Sequence, residues 1–131
     1  MTIYFKKNEK NYINNHEYII YDINIPIGEI VYKQQDNIMI IGYVEIYSQY
    51  KGKHYGYQVI EHILNTFKPK CIIWEILNEA KGFGNKCINK YKGIEINISH
   101  SDNCDSSLII PKQQIDEPEM KKLLEEAYWI I

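Results

Sequence analysis

Two spacings of apolar side chains divide this chain of 131 residues. In the first half, short runs rich in isoleucine, valine and tyrosine alternate with polar stretches, a pattern typical of β-strands. Beyond residue 56, apolar positions recur every three or four residues, as they do along one face of an α-helix. The pattern predicts strands at residues 3–5, 17–23, 27–32 and 38–46.

Polar residues and a proline mark the limits of these strands. Residues 8–15 are polar and are expected to hold at most a short helix or a loop. Pro26 is expected to interrupt the chain before the third strand, because proline cannot donate a hydrogen bond to a β-ladder. Residues 34–37 read as a short polar turn, so the third and fourth strands should pair as an antiparallel hairpin.

A helix between two strands is expected in the middle of the chain. The helix is predicted over residues 57–68, and Pro69 ends it. The apolar segment 71–77 suits a strand that is covered on both faces. A strand–helix–strand unit of this length predicts that strands 38–47 and 71–77 are parallel. The apolar face of the helix consists of Val59, Ile60, Ile63, Leu64 and Phe67.

Further elements follow toward the C-terminus. Residues 79–92 predict a second helix, residues 94–98 a strand with isoleucine at alternate positions, and residues 108–110 a shorter strand. Asp116 and Glu119 carry the signal of a helix N-cap with a capping box. This last helix should pack on its own sheet or against a second copy of the chain. Its apolar stripe consists of Met120, Leu123, Leu124, Ala127 and Ile131.

These elements predict one α/β domain spanning residues 1–131. The sheet should be mixed and mostly antiparallel, with one parallel βαβ unit and a C-terminal helix. The length is close to the commonest domain size, and 45% of the residues are hydrophobic, which is enough for a sizeable core.

Charge and cysteine content argue against several classes of function. Basic residues number 15 against 17 acidic ones, so a net charge of −2 gives no footprint for nucleic acid or an anionic membrane. The longest apolar run, residues 38–41, is too short to span a membrane, and no signal peptide is expected. The cysteines have no paired spacing, and His100 and Cys104 have no second His/Cys pair beside them. The cysteines are therefore expected to be reduced thiols of a cytoplasmic protein and not metal ligands.

The loop between the fourth strand and the central helix has the composition of an anion site. It contains Gly52 and Gly56 together with Lys51, Lys53 and His54, and it has no acidic residue. The amides at the start of the following helix lack intrahelical partners, and the positive end of the helix dipole lies there, which suits a pyrophosphate. An ordinary solvated turn is also compatible with these residues.

The order of motifs around this loop resembles the GNAT superfamily of acetyl-CoA-dependent N-acyltransferases. Residues 51–56, Lys-Gly-Lys-His-Tyr-Gly, resemble the family's signature Arg/Gln-x-x-Gly-x-Gly/Ala. Lys51 stands in place of Arg or Gln, and His54 in place of the first glycine. Further segments match in the same order: residues 27–30 resemble the strand Val-Gly-x-Ile, residues 74–78 the strand Leu-Glu-Val followed by Asn, and residues 88–94 the closing helix and Gly-Phe turn.

The resemblance implies an N-acetyltransferase that moves the acetyl group of acetyl-CoA to a primary amine of a small molecule or a protein by direct attack, without a metal. The pantetheine arm would pair with the open edge of the fourth strand, as a peptide adds to a sheet edge. A homodimer is possible. The implied cofactor-binding residues are Val44, Glu45, Ile46, Lys51, Gly52, Lys53, His54, Tyr55, Gly56 and Asn78.

Two carboxylates are candidates for the general base that the reaction requires. Glu75 corresponds to the Glu of the family's Leu-Glu-Val strand, and Glu45 lies on the fourth strand. Tyr91 is the candidate acid for the departing thiolate. A non-catalytic acyl-CoA-binding or interaction module of the same fold is the alternative, and an unrelated small α/β domain is a third interpretation.

Overall fold

The computed structural model describes residues 2–9, 16–99 and 103–128, with side chains described as far as residue 125. Within these residues the chain forms a seven-stranded sheet and three α-helices. The strands are β1 (Ile3–Lys7), β2 (Glu17–Asp22), β3 (Ile25–Gln35), β4 (Ile38–Ile46), β5 (Cys71–Ile76), β6 (Ile94–Ile96) and β7 (Ser106–Ile110). The helices are α1 (Tyr55–Thr66), α2 (Lys81–Tyr91) and α3 (Glu117–Tyr128), and single 3₁₀ turns cover Ser48–Tyr50 and Asn78–Ala80.

The sheet has the order β1-β2-β3-β4-β5-β7-β6. Strands β4 and β5, which α1 connects along the chain, pair in parallel. The other neighbouring strands pair antiparallel. This arrangement confirms the predicted mixed, mostly antiparallel sheet with a parallel βαβ unit.

Alternate residues of the central strands build a core on each face of the sheet. Ile41 and Ile72 belong to the cluster that contains the apolar face of α1, together with Cys87 of α2. Ile40 and Ile73 belong to the cluster under α3. A strand covered on both faces explains why residues 71–76 are apolar at nearly every position.

Helix α3 packs on its own sheet through Met120, Leu123 and Leu124, as one of the two expectations had it. The amide of Glu119 donates a hydrogen bond of 2.8 Å to Asp116 Oδ1, which confirms the predicted N-cap. The remaining members of the predicted stripe, Ala127 and Ile131, lie outside the described side chains, and the expected homodimer stays a prediction.

The predicted hairpin of β3 and β4 is confirmed, but its turn is shorter than the predicted segment 34–37, because β3 continues to Gln35. Asp36 and Asn37 have φ of 49° and 68°, the pair of positive values that a two-residue hairpin turn of type I′ requires. The expectation that Pro26 interrupts the chain is wrong, because β3 begins at Ile25. Pro26 lies opposite Tyr21 where the β2–β3 register shifts, a position at which a strand tolerates the missing N–H.

Several boundaries differ from the predicted ones. Helix α1 starts at Tyr55 and ends at Thr66, two residues earlier at each end than expected. The segment 79–92 divides into a 3₁₀ turn and α2. Strand β6 stops at Ile96, because the Ile98 amide bonds back to the Ile96 carbonyl and turns the chain out of the ladder. Most of the polar segment 8–15 lies outside the described residues.

Candidate functional site

Strands β4 and β5 separate before they end. Their parallel register runs from Ile38 and Cys71 to Ile41 and Trp74, and the described residues beyond that pair are not in register with each other. Strand β4 continues to Ile46 on β3 alone, and β5 continues on β7 alone. At Val44 and Ile46, one edge of β4 therefore keeps its backbone hydrogen-bonding groups available toward the gap.

A β-bulge at Gly42 changes which side chains of β4 face each way. The β3–β4 register shifts at this residue, so Gly42 is an extra residue on β4. Beyond it, Val44 and Ile46 pack against the core beneath α1 and α2. Tyr43 and Glu45 alternate with them. The bulge thus begins where the two parallel strands part.

A cavity of about 840 Å³ occupies the gap. Its walls are the open half of β4, the loop before α1, the first turn of α1, the end of β5 and the start of α2. The structure brings together most of the residues that the sequence predicted for the cofactor. Those that line the cavity are Val44, Glu45, Ile46, Lys51, Gly52, His54, Tyr55 and Gly56.

Two predicted cofactor residues lie elsewhere. Lys53 is exposed, and its Nζ lies 5.8 Å from the centroid of the Tyr50 ring. The side-chain oxygen of Asn78 accepts a 2.9 Å hydrogen bond from the Asp105 amide, which ties the end of β5 to the segment before β7. Neither residue is part of the cavity wall.

The loop before α1 turns through two residues with positive φ, Gly52 at 81° and His54 at 62°. Glycine adopts such angles without steric cost, whereas an L-residue pays about 1–2 kcal/mol. His54 therefore takes up the backbone conformation that the first glycine of the signature would supply. The first helical hydrogen bond of α1 runs from Gln58 to His54, so amides 55–57 have no intrahelical acceptor at the cavity wall.

Close packing, rather than an unusual φ, requires the glycine at position 56. A Cβ atom there would lie 2.7 Å from Cζ of Phe83 on α2. The Phe83 ring in turn lies 5.1 Å from the Tyr57 ring and 5.9 Å from the Trp74 ring. These rings form one aromatic wall of the cavity.

Two further contacts fix the walls in place. The Tyr55 hydroxyl donates a 2.6 Å hydrogen bond to Asp22 Oδ2, which ties the start of α1 to the end of β2. A hydrogen bond from the Thr2 side chain, together with the one from Tyr55, holds the pKa of Asp22 below its usual value. At Gly28, a Cβ atom would lie 2.1 Å from the Glu45 carbonyl oxygen, so β3 and the open half of β4 approach closely.

Glu45 is the candidate base that the structure brings to the cavity. It accepts a hydrogen bond from the Tyr43 hydroxyl, and the neighbouring Glu29 accepts one of 3.1 Å from Tyr47. Burial raises the pKa of Tyr43, and the carboxylates of Glu45, Glu29 and Glu17 add to the effect. Burial and the bond to Glu29 raise the pKa of Tyr47 to about 12.

Glu75 and Tyr91 are not part of the cavity wall. Glu75 is 2% exposed and pairs with Ser107 of β7, and its place in the alternation of β5 puts it on the face that carries α3. The Tyr91 hydroxyl donates a 3.1 Å hydrogen bond to Glu61 of α1, beside the Lys90–Glu61 ion pair. Burial and the Glu61 bond raise the pKa of Tyr91.

Several wall residues were not predicted from the sequence. Trp74 was predicted only as part of the apolar strand, and Tyr57 only as part of a helix whose predicted apolar face does not include it. Ala80 at the end of the 3₁₀ turn and Phe83 and Lys86 on α2 recur every three residues and line the cavity together. That helical spacing was the available signal, and it lies within the segment that was predicted to be helical.

Among the residues that the structure describes, no three His, Cys, Asp or Glu side chains are grouped as a metal ion would need. None of the described helices is long and apolar enough to cross a bilayer. All three cysteines are buried free thiols.

Comparisons with known proteins give structural matches alone. No protein-family model and no curated protein sequence matches the chain. A protein described as a GNAT-family acetyltransferase from Bacteroides thetaiotaomicron is similar over 95% of this chain and 81% of its own, with 18% identity and a TM-score of 0.62.

Two further structures with this fold carry more specific descriptions. The ribosomal-protein alanine N-acetyltransferase of Escherichia coli covers 77% of this chain and 71% of its own, with 9% identity and a TM-score of 0.54. The structure of Arabidopsis thaliana Naa50 in complex with the bisubstrate analogue CoA-Ac-MVNAL matches 83% of this chain and 97% of its own, with 13% identity and a TM-score of 0.53. With the strand order, the parted β4–β5 pair and the loop before α1, these matches show that the chain has the fold of the GNAT acetyltransferases.

Proposed function

We propose that this protein transfers the acetyl group of acetyl-CoA to a primary amine. The observation that carries the proposal is the gap between β4 and β5, which continues as one cavity to the first turn of α1. A strand edge with available backbone groups and a helix start with available amides suit, respectively, the amide-rich arm and the phosphates of CoA.

In this proposal the pantetheine arm runs along the open edge of β4. Backbone groups of Val44 and Ile46, which point away from β3, would hydrogen-bond its amides, while the side chains of the same two residues cover its apolar atoms. The backbone of Glu45 faces β3, so the expected contribution of its backbone is not part of this proposal. Amides 55–57 would hold the pyrophosphate. Lys51 and Lys86, which both line the cavity, would add positive charge.

The reaction needs no covalent enzyme intermediate. The neutral amine attacks the thioester carbon, a C–N bond forms, and the C–S bond breaks as the thiolate of CoA leaves. The proton of the amine passes to a carboxylate, and the thiolate takes up a proton on departure. Of the two predicted candidates, Glu45 lies at the cavity wall, where Glu79 is a second carboxylate, and Glu75 lies on the opposite face of β5.

Peptide amines are one acceptor class that the comparisons support. The E. coli protein is named for acetylating an alanine of a ribosomal protein, and the Arabidopsis protein binds an analogue that joins CoA to a peptide. We propose a primary amine at a peptide terminus or side chain, with small-molecule amines as the comparison class.

A non-catalytic acyl-CoA-binding module is the second candidate. It is favoured by one observation, the position of Glu75 and Tyr91 outside the cavity wall. Binding of acetyl-CoA without transfer would then be the whole activity of this site.

The test combines calorimetric titration with CoA and an assay of thiol release from acetyl-CoA. The amine panel holds peptides with a free N-terminus, lysine-containing peptides, polyamines and small amines, and the variants are Glu45→Gln and Glu75→Gln. Binding with transfer to at least one amine supports the enzyme, and binding without transfer supports the module. If the protein at millimolar CoA shows neither binding nor a rise in melting temperature, both candidates are wrong, since a ligand at 100 times its Kd adds about 2.7 kcal/mol of stability.

A further inference from the structure

Trp74 lies at the point where β4 and β5 part. It pairs with Ile41 in the last step of the parallel register, and its indole lines the cavity. The residue is 6% exposed and belongs to the core cluster beneath α1 and α2. A bulky indole therefore closes the narrow end of the gap.

The indole is held by neighbours that leave it little room to retreat. The Phe83 ring meets it edge to face at 5.9 Å, and Phe83 is itself packed onto the backbone of Gly56. Behind these rings, Ile76 and Leu108 are almost fully buried, and a Cβ atom at Gly84 would lie 2.6 Å from Ile76 Cδ1. A core packed at this density yields to extra atoms only by shifting side chains out of their preferred conformations.

The two ends of the cavity differ in chemistry. The loop at residues 51–56, with its glycines, lysine and free helix amides, forms the polar end. At the other end, Trp74 contributes apolar surface where the strands converge, beside Phe83 of α2. A CoA thioester held by its phosphates at the polar end, with its arm along β4, would present its acyl group to this apolar wall.

We infer that Trp74 restricts the acyl group to short chains, with acetyl as the best fit. The inference rests on the proposed function, since it assigns a specificity to that same site. An acyl chain longer by a few methylenes would have to displace a buried indole that is backed by Phe83. The wall therefore discriminates by exclusion rather than by a favourable contact.

The experiment measures dissociation constants of CoA and of acetyl-, butyryl- and hexanoyl-CoA by calorimetry for the wild-type chain and for Trp74→Leu. In the wild type, we expect hexanoyl-CoA to bind at least about tenfold more weakly than acetyl-CoA. In Trp74→Leu the two constants should converge to within about threefold, while free CoA, which lacks an acyl group, binds as in the wild type. Ile63→Val is the control, because it loosens the same core on α1 away from the cavity and should keep the wild-type ratio.

The outcomes separate this inference from the function on which it rests. If wild-type protein binds no CoA at all, the proposed function is wrong. If CoA binds and the wild type accepts hexanoyl-CoA as tightly as acetyl-CoA, the role of Trp74 is overturned while the function stands. The role of Trp74 is also overturned if Trp74→Leu melts cooperatively and keeps the wild-type ratio of the two dissociation constants, hexanoyl-CoA to acetyl-CoA. Should that variant not fold, Trp74→Phe retains an aromatic core and must show a smaller shift in the same direction.

Discussion

Gly56 and Phe83 are packed so closely that a Cβ atom on the glycine would lie 2.7 Å from the ring's Cζ atom. The glycine belongs to the loop signature at the start of α1, and the phenylalanine belongs to α2. A residue that the sequence motif connects with phosphate binding therefore also sets the distance between two helices and the position of an aromatic wall.

Gly56→Ala should lower the free energy of unfolding by about 1–3 kcal/mol, because the Phe83 ring must move to admit the methyl group. Urea denaturation monitored by circular dichroism measures the change. Gly82→Ala, on the exposed side of α2, is the matched control: a Cβ there meets nothing within 4 Å. Because alanine has a higher helix propensity than glycine, the free energy of unfolding of the control should rise by up to about 1 kcal/mol. Equal effects of the two substitutions would contradict the packing argument.

Gly28→Ala should lower the free energy of unfolding more than Gly56→Ala does, by an amount at the upper end of about 1–3 kcal/mol. The reason is that its Cβ meets backbone atoms, which cannot move aside by a rotamer change. The Cβ would lie 2.1 Å from the Glu45 carbonyl oxygen, so the open half of β4 must shift and CoA affinity should fall with stability. Gly42→Ala is the comparison for stability, since its Cβ would come no closer than 3.8 Å to Val31. A Gly28→Ala protein as stable as Gly42→Ala would show that β3 and β4 are not in such close contact.

His54→Gly should raise the free energy of unfolding by up to about 1 kcal/mol, because glycine relieves the cost of a φ of 62° and loses part of that gain to its greater freedom when unfolded. His54→Ala removes the same imidazole and keeps a Cβ, so it should show no such gain. Thermal and urea melts of the three proteins provide the measurement. A gain shared by alanine and glycine would assign the effect to the lost side chain instead of the backbone.

Stability should fall as the pH drops below about 6.5, and His62 is one cause. Burial lowers the pKa of His62 from its usual 6.5, and its ring packs edge-on against Phe5 and Phe67. The unfolded chain therefore binds the proton at a higher pH than the folded chain. The contribution is complete above pH 6.5 and is lost as the pH falls from there through the lower folded pKa.

Urea denaturation at pH 7.5, 6.5 and 5.5 tests this, with His62→Phe as the variant that keeps an aromatic ring in the cluster. The variant should show a smaller decrease over this range than the wild type. His16, whose pKa is also lowered by burial and by Lys33 and Lys7, should leave a residual decrease. An unchanged pH dependence in His62→Phe would exclude His62 as a contributor.

The elements that the sequence predicted well are those fixed by local patterns. Strand β4 has the predicted bounds, Ile38–Ile46, because polar residues flank a run of β-formers on both sides. The Asp116 cap follows from side-chain chemistry within one turn of helix. The cavity-forming loop was found because glycine, lysine and a helix start lie together along the chain.

The features that the sequence could not give depend on the direction of side chains in three dimensions. A strand that is apolar at nearly every position does not reveal which of its faces packs under which helix. Trp74 and Glu75 are neighbours and must point to opposite faces, but the pattern does not show which of them faces the cavity. The bulge at Gly42 is a matter of register between two strands and leaves no local pattern. The hydrogen bond from Tyr91 to Glu61 joins residues on two different helices, so no local pattern could predict it.

Backbone amide hydrogen exchange, followed with and without CoA, tests the central claim most directly, because the claim concerns backbone groups in the gap between β4 and β5. We expect slower exchange at the amides of Val44 and Ile46 on the open edge of β4 and at residues 55–57 at the start of α1, with β6 unchanged. If CoA saturates the protein by calorimetry and exchange at both segments stays as it was, CoA binds elsewhere and the account is contradicted.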